Sequence, residues 1–128
     1  MDDKTSYWLD LSDYDIKTAE AMLETKRYLY VGFMCHQSIE KLFKALISEK
    51  ELDVAPKIHN LIRLAELCQV FENMPERHKE TIFLLNPLNI ESRYPTYKED
   101  MLKQLDDKKC KSILDSTKEL IEWIRQQL

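Results

Sequence analysis

Two places in this chain carry residue types suited to chemistry: the run His36, Gln37, Glu40, Lys41 and Lys44, and the turn Ser92-Arg93-Tyr94-Pro95. On a helix, at about 100° per residue, the first five fall within an arc of about 140°, with His36, Glu40 and Lys44 stacked a turn apart. An imidazole, a carboxylate and two amines on one face can move a proton or hold an anion. Arg93 brings a planar guanidinium whose fork suits a phosphate, set on a rigid turn. Its competing role is an ion pair to a carboxylate at the core edge, such as Glu40. Tyr94 and Tyr97 bracket the turn and can stack on a base or donate hydrogen bonds, although tyrosines there are also ordinary core-edge residues. His59 follows Pro56-Lys57-Ile58 at an expected helix N-terminus, where free N–H groups and the helix dipole favour an anion. Histidine is the side chain that titrates near neutral pH. The plainer role for His59 is a hydrogen bond tying its loop to the second helix. His36 reads as a packing or interface histidine, and His78, in Glu-Arg-His-Lys, as a solvated one. Glu40 and Lys44 need no ligand, since this spacing stabilises a helix by about 0.2–0.5 kcal/mol. Lys41 is then left over, so the polar stripe is expected to border solvent, a groove or a second subunit.

Helices must position these groups. Leu9, Ser12, Ile16, Ala19 and Leu23 recur at steps of three and four, widened by Trp8, Leu11 and Met22, which predicts a helix from Lys4 or Thr5 to residue 26. A second helix is predicted over 28–50, with Val31, Met34, Cys35, Ile39, Leu42, Phe43 and Leu46 inward. Gly32 near its start costs about 1 kcal/mol against alanine, which points to close packing there. Residues 53–56 read as a loop closed by Pro56. A third helix is predicted over 58–71, with Leu61, Ile62, Leu64, Ala65 and Cys68 inward, and a fourth over 76–85 after Pro75. Pro87 breaks the pattern, so 86–98 reads as a long connection, the kind that in compact domains usually carries function. A short helical stretch over 97–105 precedes a last helix that opens at Asp106 or Asp107 and runs through Ile113, Leu114, Thr117, Leu120, Ile121 and Ile124. Lys98-Glu99-Asp100 and Asp106-Asp107-Lys108-Lys109 read as solvated faces. The expectation is an all-α, antiparallel four- to five-helix up-and-down bundle.

Composition bounds the function. The 128 residues are expected to form one domain, 1–128, able to bury about two thirds of the unfolded surface. A net charge of −4 excludes a protein that coats a nucleic-acid backbone but leaves room for a local basic site. One glycine excludes every glycine-rich phosphate loop, and with it kinase and ATPase chemistry. Cys35, Cys68 and Cys110 are odd in number and far apart, so they read as buried thiols; no metal and no cofactor is expected. The N-terminus has no cationic stretch leading into an apolar core, and no run is long enough to span a membrane. A cytoplasmic, reduced location is the expectation.

Several short segments together resemble the HEPN domain, the "higher eukaryote and prokaryote nucleotide-binding" family. They are Trp8, Asp15-Ile16, Ala19 and Met22-Leu23; Phe33 with Gln37-Ser38-Ile39-Glu40-Lys41 and Lys44-Ala45; His59-Asn60-Leu61; Ser92-Arg93-Tyr94-Pro95; and Trp123-Ile124. The resemblance implies a helical bundle that commonly dimerises, often beside a minimal nucleotidyltransferase in toxin–antitoxin-like pairs, with some members cleaving RNA. Those ribonucleases carry Arg and, a few residues later, His. Here Lys98, Glu99 and Asp100 stand in that region and no histidine follows His78, so the ribonuclease role is not carried over. The expected function is a non-catalytic nucleotide- or RNA-binding module acting with a nucleotidyltransferase, its ligand held by Arg93, Tyr94, Tyr97, Lys41, Lys44 and His59. One alternative is a divergent, metal-independent ribonuclease in which Arg93 steadies the phosphate and His59 or His36 replaces the missing base. Another is a dimeric scaffold without a ligand. Wide apolar arcs in a chain that is 44% hydrophobic favour a homodimer, with the stripe and the Arg93 turn beside the subunit boundary.

Overall fold

The computed structural model describes residues 3–52, 57–91 and 103–128. In chain order its helices are α1 (Asp3–Glu24), α2 (Tyr28–Glu49), α3 (Leu61–Leu67), α4 (Glu76–Leu85), α5 (Leu88–Glu91) and α6 (Asp107–Arg125). Among the described residues there is no strand, so the all-α expectation holds. The residues expected around Arg93, namely Tyr94, Tyr97 and Lys98-Glu99-Asp100, lie outside the described residues, as does the 53–56 loop. Of the short helix expected over 97–105, residues 103 and 104 are helical and 97–102 lie outside.

Polar side chains set the relative direction of the long helices. Thr5 bonds Ser48 and Ser12 bonds Ser38, so α1 and α2 run antiparallel, and the long Lys41 side chain reaches Asp15 across the same seam. Cys110 reaches the Tyr28 carbonyl and Cys35 sits against Thr117, so α6 runs parallel to α2. Arg125 on Asp13 and Lys118 on Glu20 then make α6 antiparallel to α1, as an up-and-down bundle requires.

α2 is the central element. It packs on α1, α6, α3, α4 and α5, and its Val31, Cys35, Ile39, Leu42, Phe43 and Leu46 are fully buried. Against α1 the seam is small-residue and polar. Ser12 Oγ donates to the Ser38 carbonyl at 2.8 Å, Ser38 Oγ donates to the Ser12 carbonyl at 2.9 Å, and Ala19 and Ala45 are fully buried. Gly32 is where α5 comes close: a Cβ there would lie 2.6 Å from Leu88 Cδ1, so the end of the Leu88 side chain would have to move. The three thiols are buried, and burial pushes Cys35 and Cys68 up to about 12, as inert core cysteines.

Helix ends explain where the predicted boundaries move. α3 begins at Leu61, not at residue 58, because Asn60 caps it: its Oδ1 accepts from the amides of Ile62 and Arg63. α6 opens after Asp106, whose carboxylate accepts from the Lys109 amide at 2.7 Å, as expected. Pro87 does not continue α4, but it allows the short α5 to start within what the sequence reads as a plain connection. Three helices end in the same left-handed turn. Lys26, Glu51 and Gln69 have φ of 62°, 55° and 61°, and the next residue's amide bonds back to Met22, Ile47 and Ala65. This termination normally uses glycine, and in an L-residue it costs roughly 1–2 kcal/mol. Lys26 and Gln69 are exposed, so their side chains contribute little to offset the strain. Lys26→Gly and Gln69→Gly are each expected to raise stability by about 0.5–1 kcal/mol in urea denaturation; a loss at both positions would refute the assignment of strain to these turns.

Candidate functional site

Within the polar run of α2, His36 and Glu40 are interior, while Lys41 and Lys44 are partly exposed. The approach to α3 and the α4–α5 junction supply the polar groups that meet this side of α2. The Glu40 side chain, 3% exposed, holds two cationic or titratable partners. Its Oε2 accepts from Lys44 Nζ at 3.0 Å, and its oxygens lie 3.1 and 3.2 Å from His59 Nδ1. The tie between the His59 loop and α2 is therefore present, made by this carboxylate. A carboxylate only accepts, so the proton of a neutral His59 resides on Nδ1 and Nε2 is left with its lone pair. The His59 side chain is 52% exposed.

His36 is a different kind of histidine. It is fully buried, its Nδ1 stands 3.8 Å from Glu40 Oε1, and neither ring nitrogen completes a hydrogen bond. Burial pushes it down to about 4, against the smaller opposing pull of Glu40 and of the His59 backbone, which lies near without closing a bond. At neutral pH it is an uncharged core group with no access to a ligand.

A second polar chain runs beside the first. Asp15 pairs with Lys41 at 3.1 Å, Lys41 donates to Gln37 Oε1 at 2.9 Å, and Gln37 Nε2 donates to Asn89 Oδ1 at 2.6 Å. It links α1, α2 and α5. Lys44 also lies over the Trp8 ring, 5.5 Å from its centroid. Each lysine of the stripe thus already holds a carboxylate.

Between the start of α3 and the α4–α5 junction is a cavity of about 280 Å³, lined by His59, Asn60, Ile62, Phe83, Asn86, Pro87 and Asn89. The α3 amides expected to favour an anion are already engaged: Leu61 donates to Asn86 Oδ1, and Ile62 and Arg63 to Asn60 Oδ1. That corrects the expectation of an open helix N-terminus beside His59, since its neighbour Asn60 is the cap. Among the described residues no three His, Cys, Asp or Glu side chains converge as a metal site, and no helix is long and apolar enough to cross a membrane.

The structure brings His36, His59, Glu40 and Lys44 together and places Lys41 on the adjoining chain. Arg93, Tyr94 and Tyr97 lie outside the described residues, as does any pair between Arg93 and Glu40. His78 is a correction. It is 2% exposed, not solvated, and lies 6.1 Å from Trp123 between ring centroids; burial, with Arg77 nearby, lowers its pKa. Its signal was in the pattern, because His78, Thr81, Ile82 and Leu85 follow helical spacing and all are buried. Asn60, Asn86, Asn89 and Phe83 line the cavity without having been singled out. Asparagines flanking Pro87 read only as turn residues.

The sequence model of the HEPN domain matches residues 5–127. No curated protein matches the chain in sequence. Solved structures with this fold include TT1696 from Thermus thermophilus, 19% identical, with a TM-score of 0.81 over 99% of this chain and 100% of that one. They also include ST0689, an archaeal HEPN homologue, 17% identical, with a TM-score of 0.75 over 99% and 98%. At these identities the likeness is one of fold.

The burial of His36 has a consequence for stability. Between pH 6.5 and about 4 the unfolded chain takes up a proton that folded His36 refuses. Stability is expected to fall as pH drops through that window, by up to roughly 3 kcal/mol from this group, and to be indifferent to it above. In His36→Leu the acid limb of stability against pH, measured by urea titration, should flatten, with His78 leaving a residual slope. An unchanged limb would show that His36 does not carry the effect.

Proposed function

The chain belongs to the HEPN domain family, and on that premise we propose that it is a nucleotide- or single-stranded-RNA-binding module acting with a minimal nucleotidyltransferase in a toxin–antitoxin-like pair. It lacks the family's Arg-then-His ribonuclease pair. The observation that carries the binding reading is His59: half-exposed, fixed through Nδ1 by a buried carboxylate, and opening onto a cavity lined by three asparagines and Phe83. Amides and an aromatic face suit a nucleotide, and at about 280 Å³ the cavity is at the small end of ligand sites. Arg93, with Tyr94 and Tyr97, completes this reading as a phosphate and base contact. Lys41 and Lys44 set the charge of the polar network behind the pocket. The partnership with a nucleotidyltransferase and the homodimer rest on the family and on the wide apolar faces of the helices.

The Glu40–His59 bond favours a second reading, a metal-independent ribonuclease in which His59 Nε2 acts as the base. His36 is too enclosed for that role. Labelled total RNA incubated with pure protein separates the two. Cleavage abolished by His59→Ala and Arg93→Ala supports the ribonuclease, and no cleavage above those controls removes it.

Binding is tested by calorimetric titration with AMP, ATP and a short oligoribonucleotide at low salt. Heat that shrinks as salt rises is expected, because the attraction is to phosphate charge. Arg93→Ala should weaken binding more than Lys98→Ala, and no heat at millimolar ligand would overturn the binding reading. In light scattering, a single mass near 15.3 kDa at micromolar concentration would overturn the homodimer.

A further inference from the structure

Helix α1 carries one face directed away from its own bundle. Thr5, Leu9, Ser12, Asp15 and Ala19 are buried, and on the neighbouring side Arg125 and Lys118 of α6 hold Asp13 and Glu20. Turned the opposite way are Tyr7, Leu11, Tyr14, Thr18 and Ala21. They recur at steps of four, three, four and three, fall within an arc of about 80° and run for about 21 Å. Tyr7 and Tyr14 are 57% and 71% exposed, and Ala21 is exposed as well. No charged residue of α1 lies in that arc. The Thr18 hydroxyl donates back to the Tyr14 carbonyl at 2.9 Å, so its proton is taken up within the helix.

This spacing is that of a seam between two helices, and the charges beside it determine which second helix fits. Asp10 and Lys17, both exposed, border the seam on one side. Laid antiparallel on a second copy of itself, α1 can set Leu11 against the partner's Tyr14 and Tyr7 against the partner's Thr18. Asp10 then lies beside the partner's Lys17, and two-fold symmetry makes that ion pair twice. A heptad shift in one direction sets Lys17 against the partner's Lys17 and Asp10 toward the partner's Glu24. A shift in the other direction sets Asp10 against the partner's Asp10. Both shifts bring like charges together. A parallel pair offers Asp10 the partner's Asp15 and Lys17 the partner's Met22, so neither meets an opposite charge. Of these arrangements, the antiparallel one centred between Leu11 and Tyr14 matches charge to charge.

We propose that α1 is a self-association surface, on which a second copy of this chain docks by its own α1, antiparallel and in that register. The proposal rests on the homodimer reading and makes it specific, since it places the subunit boundary on α1 and not on the polar run of α2. Leu11 and the two tyrosines contribute the attraction, and the Asp10–Lys17 pairs fix register and direction. Tyrosine suits such a boundary, because its ring buries apolar area while its hydroxyl stays at the wet edge. Tyr7 stands edge-on to Trp8 with ring centroids 5.3 Å apart, a contact that holds its ring beside the seam.

Sedimentation equilibrium from micromolar to millimolar concentration tests this, with charge exchanges at the two exposed positions. The wild-type chain is expected to be a dimer. Asp10→Lys and Lys17→Glu each turn two attractive pairs into two repulsive ones and should weaken the dimer about tenfold. The double variant D10K/K17E restores opposite charges across the seam and should return the dimer to within about threefold of wild type. Recovery in a chain that carries both substitutions cannot come from misfolding. A dimer that neither single exchange weakens overturns the α1 seam and leaves the homodimer on another face. Weakening that the double variant does not reverse overturns the seam as well. A wild-type chain that stays monomeric over the whole range overturns both readings and leaves this face for a helix of another protein.

Discussion

The buried carboxylate of Glu40 is the interaction on which the polar half of this protein depends. A carboxylate that is 3% exposed is tolerable only with its oxygens engaged, and Lys44 and His59 engage them. Each partner contributes something else. Lys44 lies over Trp8 of α1, and His59 fixes the loop that delivers Asn60 to the start of α3. One side chain thus joins α1, α2 and the approach to α3. Breaking a buried ion pair of this kind costs about 3–5 kcal/mol.

α2 can hold this carboxylate because it is enclosed by neighbours. The Ser12–Ser38 exchange and the small residues Ala19 and Ala45 let α1 close on one side, and Gly32 admits Leu88 near its start. Close approach on these seams leaves the longer side chains of the polar face in a confined space, where burial keeps His36 uncharged. Two histidines lie beside one carboxylate and differ in environment: His36, 3.8 Å from it and unbonded, is sealed in the core, and His59, bonded to it, stands at the mouth of a cavity.

The asparagines make the connection between fold and site. Asn60 and Asn86 are first of all structural, since they cap α3 and tie it to the end of α4. In doing so they point their oxygens at backbone amides, and Asn86 Nδ2 donates to Asn60 Oδ1. The same two residues close off the anion-binding N–H groups that a bare helix N-terminus would offer.

Much of the fold was legible in the sequence because it depends on periodic apolar residues and local breakers. α2, α4 and α6 lie where the three-and-four spacing, Pro75 and Asp106 put them. The inward thiols and the reason for Gly32 were readable too, since burial and close packing follow residue type. What sequence could not decide was the surroundings of polar side chains. His36, His59 and His78 are one residue type in three environments, and the difference comes from which helix packs over each. Glu40–Lys44 is a local i, i+4 pair that any helix wheel reveals, whereas Glu40–His59 spans a loop and exists only once α3 is docked. The cavity is more dependent still on tertiary structure. Its asparagines are turn and cap residues in sequence, and they converge because helix ends from different parts of the chain meet beside α2. Periodicity reports a residue's own helix; a site is made by the neighbours that packing brings to it.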